Sequence, residues 1–570
     1  MDVDSIIAQY AGRGREALLP VLWDVQTAHG YIGPQAVEAI SHGLRIPAAD
    51  IYGVISFYSL FHKEPTGERI VYLCCDPACA LAGADAALEA ARAAAVAVEA
   101  TVLRAPCLGL CDHAPAALIA QRGAGQRLYG PVTEVERLFD APVGDGVGLP
   151  PQPGGRRSLL GGEPAELALL KGAVEHRAQT LADYGDYSAL RRALRDLTPE
   201  ALIAEVEASG LIGRGGAAFP TSLKWRMTAQ APGQPHYVVC NADESEPGTF
   251  KDRALMESQP HLLLEGMALA GYAVGATQGY LFIRGEYPEA ARHLQAAIDE
   301  ARVAGLLGER VMGSGFSFHI ELRRGAGAYI CGEETALFSA IQGERGFPRM
   351  KPPYPTTHGL FYKPTAVNNV ETLCAIPLIV ERGAAWFSQY GTEGSRGTKL
   401  VSVSGHVRRP GIYEIAFGLT LRQLLEHHCG GVQGELQAVL MGGAAGTFLA
   451  PHEIDVRLTF EDLRAIGSTL GSGAIMVFNT SVDLRDILAR LAHFFQHESC
   501  GKCFPCQLGT QRQLEILERL DQPLPGDRQR LIDVGRTMTE ASLCGLGQTA
   551  ASAVLSAIDR FPHLFEQAKP

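Results

Sequence analysis

Apolar residues recur at helical spacing from the start of the chain, in Leu18, Leu19, Leu22 and Trp23 and again in Val37 and Ile40, and predict short helices over residues 1–65. Gly30, Gly33-Pro34 and Pro47 punctuate them, and Ser56-Phe57-Tyr58-Ser59-Leu60-Phe61 reads as an aromatic piece of core. Residues 69–73 then read as a strand, about 83–98 as an alanine-rich helix and 101–103 as a second strand. Glycine and proline crowd residues 142–180, which predicts a linker. Beyond it come a helix near 199–208 and a strand at 236–240. Residues 398–480 look β-rich, with strands near 399–404, 411–413, 438–443 and 475–478, and Leu421, Leu424 and Leu425 mark one helix among them. From Asp483 helical periodicity returns through Ile487, Leu488, Leu491, Phe494 and Phe495. The pattern is that of an α/β multidomain protein.

Length and composition narrow the class. A chain of 570 residues holds about three to five domains of ordinary size. It has no run approaching the ~20 apolar residues of a membrane span. Met1-Asp2-Val3-Asp4 lacks the basic and apolar parts of a secretory leader, so the expected location is the cytoplasm, without direct membrane insertion. A net charge of −12 argues against a general nucleic-acid binder. Thirteen cysteines, an odd number grouped at metal-like spacings, suit ligand thiolates in a reducing compartment better than a disulfide framework.

Those cysteines carry the first candidate chemistry. Cys500, Cys503 and Cys506 form a C-x2-C-x2-C run, and Cys544 stands alone inside Ser542-Leu543-Cys544-Gly545. Three thiolates from one irregular turn and a distant fourth are what a 4Fe-4S cubane asks for. A four-thiolate zinc site and buried unligated cysteines are the alternatives. Nearer the start, two strand ends present Cys74 with Cys79 and Cys107 with Cys111, which suits a 2Fe-2S centre, zinc again being the alternative. Cys75 competes with Cys74 for the first position.

The second chemistry is nucleotide binding. Gly213, Gly215 and Gly216 let backbone N–H groups approach a phosphate, and Arg214 and Lys224 add cations. This is not the G-x-G-x-x-G fingerprint, and it follows a helix, so a standard Rossmann assignment is unwarranted. The strand at 236–240 ends in Asn241, Asp243, Glu244 and Glu246, a polar cluster where α/β sheets place their ligands. Residues 325–335 and Lys351 to Tyr354 repeat the design. With no histidine beside them these acids are unlike metal ligands, and solvated loop charge is the plain alternative.

Taken together, GRGGAAFPTSLKW at 213–225, NADESEPGTFKD at 241–252, GAGAYICGEETAL at 325–337, KPPYP at 351–355, VNNVET at 367–372, ESCGKCFPC and SLCGLG closely resemble one flavoprotein family. It includes the NADH-oxidising subunit of respiratory complex I and the diaphorase subunits of soluble NAD-linked hydrogenases and formate dehydrogenases. Residues 1 to about 140 resemble the thioredoxin-like 2Fe-2S subunit of the same assemblies, fused here to the flavoprotein. The resemblance implies a helical segment (1–65), a thioredoxin-like 2Fe-2S domain (66–141), the linker (142–180) and a Rossmann-like FMN and NADH domain (181–397). A small β-grasp-like domain (398–481) and a C-terminal helical bundle with the 4Fe-4S cluster (482–570) would follow.

It further implies FMN held by Gly213, Arg214, Gly215, Gly216 and Lys224, with Asn241, Asp243, Glu244, Tyr329, Gly332, Glu333, Asn368, Asn369 and Thr372 around it. NADH would lie over the flavin against Phe219, Glu246, Glu334, Lys351 and Tyr354, with Glu246 and Glu334 nearest the chemistry. Ala218, Ile212, Met227 and Tyr354 depart from the common pattern and bear only on the NAD contacts. NADH gives up two electrons as a hydride and an iron–sulfur cluster accepts one, so a flavin must stand between them. The implied protein is a hetero-oligomer's diaphorase, working with the catalytic subunit of a molybdenum or tungsten formate dehydrogenase or of a nickel–iron hydrogenase. The fusion, the absence of a further ferredoxin motif after Cys544, and residues 104–115 and 313–319 lean toward the formate dehydrogenase beta subunit. The hydrogenase diaphorase comes next and the complex I subunit third. A zinc-stabilised, non-redox nucleotide-binding protein is the reading from another class.

Overall fold

A computed structural model describes residues 1–144, 160–163, 167–175 and 179–566. The helical periodicity at the start becomes the helices Val3–Ala8, Leu18–His29, Pro34–Leu44 and Ala48–Ile55. Asp2 caps the first by accepting the Ser5 N–H at 2.8 Å. Leu18, Leu22 and Val25 bury one side of the second. The aromatic segment does more than fill core: Tyr58 donates its hydroxyl to the Glu344 carbonyl at 3.0 Å, and Trp23 donates Nε1–H to the Gly325 carbonyl at 3.0 Å. Both bonds reach into the flavoprotein-like part of the chain.

Strands β1 (Arg69–Cys74), β2 (Thr101–Ala105), β3 (Ala117–Gln121) and β4 (Gly125–Tyr129) form a sheet of order β2-β1-β3-β4. β1 and β2 are parallel, with Cys74 opposite Ala105. Their C-terminal ends therefore leave the same edge, and the loops carrying the two cysteine pairs start side by side. The alanine-rich helix occupies Ala84–Ala95 and tightens into a 3-10 turn at Val96–Val98.

Most of the glycine- and proline-rich centre of the expected linker lies outside the described residues. The described part contains a strand that composition gave no sign of: β5 (Leu160–Gly162) runs parallel to residues 412–414. The Leu169 and Leu170 N–H groups just beyond it donate to the Glu414 carboxylate at 3.0 and 2.9 Å.

β6 (His236–Ala242), β7 (Ala276–Ile283), β8 (His319–Arg324) and β9 (Thr365–Asn369) make an all-parallel sheet of order β8-β7-β6-β9. Chain direction across the sheet reverses between β6 and β9, and that switch point is where a doubly wound sheet opens a crevice for ligands. Helix Pro260–Val274 packs on β6 and β7 and is buried all round apart from Tyr272. β10 (Thr398–Gly405), β11 (Gly411–Ala416), β12 (Leu436–Met441), β13 (Thr447–Leu449) and β14 (Ala474–Asn479), with β5, form a six-stranded mixed sheet. The helix expected at Leu421–Leu425 is α-helical only over Leu421–Gln423 and continues as a π-helical turn over Leu424–His428. The helices Leu484–Glu498, Phe504–Leu517, Asp527–Ala541, Gly545–Thr549 and Ser552–Arg560 close the molecule. Among the described residues no helix is long and apolar enough to cross a membrane.

Candidate functional site

Asn241 at the end of β6 stands opposite Asn369 at the end of β9, and Cys240 stands opposite Asn368. The switch point thus brings three amide side chains together. A cleft opens over them in two connected parts, of about 640 and 420 Å³, which share Gly215, Asn241, Gly332 and Glu333 in their walls.

The outer part is lined by Gly213, Phe219, Lys224, Glu334, Lys351, Tyr354, Asn368 and Thr372. Phe219 and Tyr354 are 42% and 55% exposed, two aromatic faces at the mouth suited to stacking. Lys351 Nζ donates to Glu333 Oε1 at 2.8 Å and to Glu334 Oε1 at 2.7 Å. Lys224 Nζ donates to the Val367 carbonyl at 2.8 Å and sits 5.9 Å from the Phe219 ring centre, and burial lowers its pKa.

The inner part is lined by Gly216, Asp243, Glu244, Glu246 and Tyr329. Glu246 accepts the Tyr329 hydroxyl at 2.5 Å and the Ala445 N–H at 2.7 Å, yet burial outweighs both bonds and pushes it up to about 7. Glu244 is pushed to about 7 by burial and by Asp252, while it accepts the Asp252 and Arg253 N–H groups at 2.8 and 2.9 Å. Asn369 donates to Asp252 at 2.6 Å. Beneath them burial would raise Glu371, but Lys251 and Lys399, at 2.7 and 2.8 Å, hold its carboxylate well below the usual range. Asp243 Oδ2 is buried and has no hydrogen-bond partner. An orphaned acceptor in a cleft floored by amides and backbone N–H groups fits a flavin nucleotide, which brings hydroxyl and ring N–H donors.

All the expected cofactor residues line this cleft except Arg214. Its backbone N–H donates to Thr372 Oγ1 at 2.9 Å, but its buried guanidinium turns away, bonding the Arg396 carbonyl at 2.7 Å and lying 4.8 Å over the Phe417 ring. Sequence reasoning missed Gly442, Ala445, Thr469, Gly471 and Ser472, from the mixed sheet's loops, and Gly545, Leu546 and Thr549, just after Cys544. Their signal is the Gly442-Gly443 pair and the Gly471-Ser472-Gly473 run, the first of which also reads as a strand end.

The cysteines gather into two sets. Cys107 and Cys111 have their sulfurs 3.5 Å apart, and the Cys74 thiol lies within hydrogen-bond reach of Cys79 and Cys107. Cys75 faces instead a separate hollow between this loop and helix Leu484–Glu498. At the other end Cys503 and Cys544 are the N-caps of Phe504–Leu517 and Gly545–Thr549, and burial pushes the Cys544 thiol up to about 11. Charge on Cys500, Cys503 or Cys544 is felt at Cys506, so the four lie together. A 2Fe-2S centre asks for two thiolates per iron and a cubane for one, so neither needs three to meet at a point. Among the described residues no three His, Cys, Asp or Glu do.

Comparison with known proteins finds four family matches along the chain. Residues 206–378 match the Nuo51 FMN-binding domain, 3–136 the thioredoxin-like 2Fe-2S ferredoxin, 399–468 the SLBB domain and 486–568 the NADH-ubiquinone oxidoreductase-F iron-sulfur binding region. An NADH-quinone oxidoreductase subunit of Rhizobium meliloti is 45% identical over 390 residues, 68% of this chain and 93% of its own. The alpha subunit of the NAD-reducing hydrogenase HoxS of Cupriavidus necator is 35% identical over 99% of this chain and 94% of its own. A crystal structure of an NAD+-reducing nickel–iron hydrogenase in the H2-reduced state superposes with TM-score 0.85 at 32% identity, covering 98% of this chain and 93% of that one.

Proposed function

The chain belongs to the family of NADH-oxidising flavoprotein subunits built on the Nuo51 FMN-binding domain, and from that premise we propose that it is the diaphorase of a hetero-oligomer, exchanging electrons between NAD(H) and a partner subunit. It is an oxidoreductase subunit whose cofactors are FMN, a 2Fe-2S centre and a 4Fe-4S cluster, with NADH as substrate. The observation that carries the reading is the cleft at the β6/β9 switch point, walled on one side by Gly545 next to Cys544 and on another by Glu244, which is bonded through Arg284 to Cys107.

We assign FMN to the inner cleft and the floor of the outer one. The Gly213–Gly216 backbone, Asn241, Asn368, Asn369 and Thr372 would hold its phosphate and ribityl chain, and Asp243 Oδ2 would accept one of its donors. FMN when bound takes up a hydride's two electrons together and releases them singly. Everything else asked of the protein is placement. Phe219 and Tyr354 sandwich the dinucleotide at the mouth, and Lys351, steadied by Glu333 and Glu334, meets its phosphates. Glu246 and Tyr329, locked to each other, give the nicotinamide end a fixed polar wall. No side chain needs to act as acid or base in the hydride step. The cysteine sets Cys74, Cys79, Cys107, Cys111 and Cys500, Cys503, Cys506, Cys544 are assigned to the 2Fe-2S and 4Fe-4S centres. Flavin absorbance, cluster EPR signals on adding NADH, and NADH-driven dye reduction test the whole reading; a colourless, inactive protein would return it to a zinc-stabilised one.

The partner we propose is the molybdenum or tungsten subunit of a cytoplasmic formate dehydrogenase, on the resemblance of residues 104–115 and 313–319. The end-to-end likeness to the hydrogenase subunit favours a nickel–iron partner as the second reading. Metal analysis of the co-purified assembly divides them, molybdenum or tungsten supporting the first and nickel the second.

A further inference from the structure

We propose that Arg284, opposed by Glu286, is a positioning residue that sets the one-electron reduction potential of the 2Fe-2S centre from inside the flavin domain. The inference rests on the reading that Cys107 is a ligand of that centre. Arg284 follows β7 directly, at the carboxyl edge of the parallel sheet, and is buried. Its Nη2 donates to the Cys107 carbonyl at 2.6 Å and its Nη1 to the Glu244 carbonyl at 2.7 Å. The Glu286 carboxylate pairs with Nε at 3.2 Å and Nη2 at 3.0 Å, and the guanidinium lies 5.0 Å over the Tyr287 ring. One cation thus touches both the cysteine loop and a wall of the flavin cleft.

The loop is packed tightly against the residues around this cation. Arg253 Nε donates to the Gly109 carbonyl at 3.0 Å. Gly109 has φ +65°, and a Cβ there would stand 2.0 Å from the Tyr287 hydroxyl oxygen, which leaves no room for a side chain. Cys107 Sγ in turn accepts the Gly109 N–H at 3.4 Å. Arg284, Glu286 and Cys107 are all buried, and a full charge in such a medium acts over a longer range than in solvent. Reducing the cluster adds one electron and neither makes nor breaks a bond. The electron comes from NADH by way of the flavin in turnover, and from dithionite in a titration. A fixed cation beside the ligand loop favours that extra negative charge, and the carboxylate behind it opposes it. The potential follows the balance of the pair, a lever belonging to the protein's charges and hydrogen bonds and not to the cluster.

An EPR-monitored redox titration of the intact, cluster-loaded chain tests this, with the 4Fe-4S signal in the same sample as internal reference. Arg284→Gln should lower the reduced-to-oxidised ratio of the 2Fe-2S centre at fixed potential by about tenfold, a shift of about −59 mV for a one-electron couple. Arg284→Lys should recover most of that shift, and Glu286→Gln should move the potential upward. The 4Fe-4S potential should stay in place throughout. Unshifted potentials in both neutral variants, or shifts of the same sign, would overturn the inference in favour of a structural clamp. Where Arg284→Gln loses the cluster, Glu286→Gln decides alone: an upward shift supports the proposal, and no shift or a downward one overturns it. Failure of the underlying ligand reading looks different, since the 2Fe-2S signal would then be absent from the unaltered protein or would survive Cys107→Ser.

Discussion

At Glu246 a single carboxylate spans two folding units, taking the Tyr329 hydroxyl on one oxygen and the Ala445 N–H on the other. Glu246→Ala should lower kcat/KM for NADH by about 10- to 100-fold while the flavin stays bound, an effect of about 1.4 to 2.7 kcal/mol. Steady-state kinetics beside flavin content checks this, and loss of flavin would show that Glu246 holds the cofactor. Glu265 offers a stability test away from the cleft. It is buried, bonded to the Tyr184 hydroxyl and to the Leu190 N–H at 2.8 Å, and pushed by burial from 4.5 to about 7. Between those values the folded chain binds the proton and the unfolded chain does not, so this group's contribution is full below pH 4.5 and is lost as pH rises toward 7. The loss is about 3 kcal/mol. Glu265→Gln should flatten that part of the pH dependence in thermal melts taken from about pH 5 to 8. At this scale the sequence was legible where chemistry is local. Asn241, Asp243, Glu246, Asn368 and Asn369 all line the cleft because each lies in, or within four residues of, the carboxyl end of β6 or β9. Arg214 was not legible in the same way, because its direction is set by Phe417 and Arg396, far downstream in the chain.

Among elements, the loop after β12 is the part of the site that periodicity hid. Its Gly443 has φ +82°, and a Cβ there would stand 2.5 Å from Glu246 Cγ. Gly443→Ala should therefore strain the loop and displace Glu246, giving a fall in kcat/KM for NADH like that of Glu246→Ala from a residue outside the flavin domain. An unchanged kcat/KM would mean the loop yields without moving the carboxylate. β5 escaped notice because three residues carry no readable alternation, and its place at the edge of the mixed sheet is set by Ile412–Glu414 across the pair. The turn over Leu424–His428 was legible as helical from its leucines but not as π-helical, since an i→i+5 bond leaves apolar spacing almost unchanged over one turn.

For the whole molecule, the two cysteine sets reach the same cleft from opposite ends of the chain. Gly545 and Leu546 wall it directly beside Cys544, and Cys107 meets it through Arg284 and Glu244. Cys544→Ser should abolish or strongly shift the 4Fe-4S EPR signal and cut electron delivery to the partner by about 100-fold or more. NADH-driven dye reduction, which can draw on the flavin directly, should persist. Equal loss of both would show that the dye too is served through the cluster. This layout was legible from the C-x2-C-x2-C run with its distant fourth cysteine, and from the fold class that the resemblance implied. What no motif conveyed was how the N-terminal unit is seated.

That seating, through Trp23 on Gly325 and Tyr58 on Glu344, joins parts of one polypeptide. A unit supplied as a second polypeptide would come away as the solution is diluted, with an occupancy set by a dissociation constant. Here every departure is followed by unimolecular return at the high local concentration that a tether imposes. The molecule therefore carries its thioredoxin-like 2Fe-2S unit at a fixed one-to-one stoichiometry, however scarce the protein is.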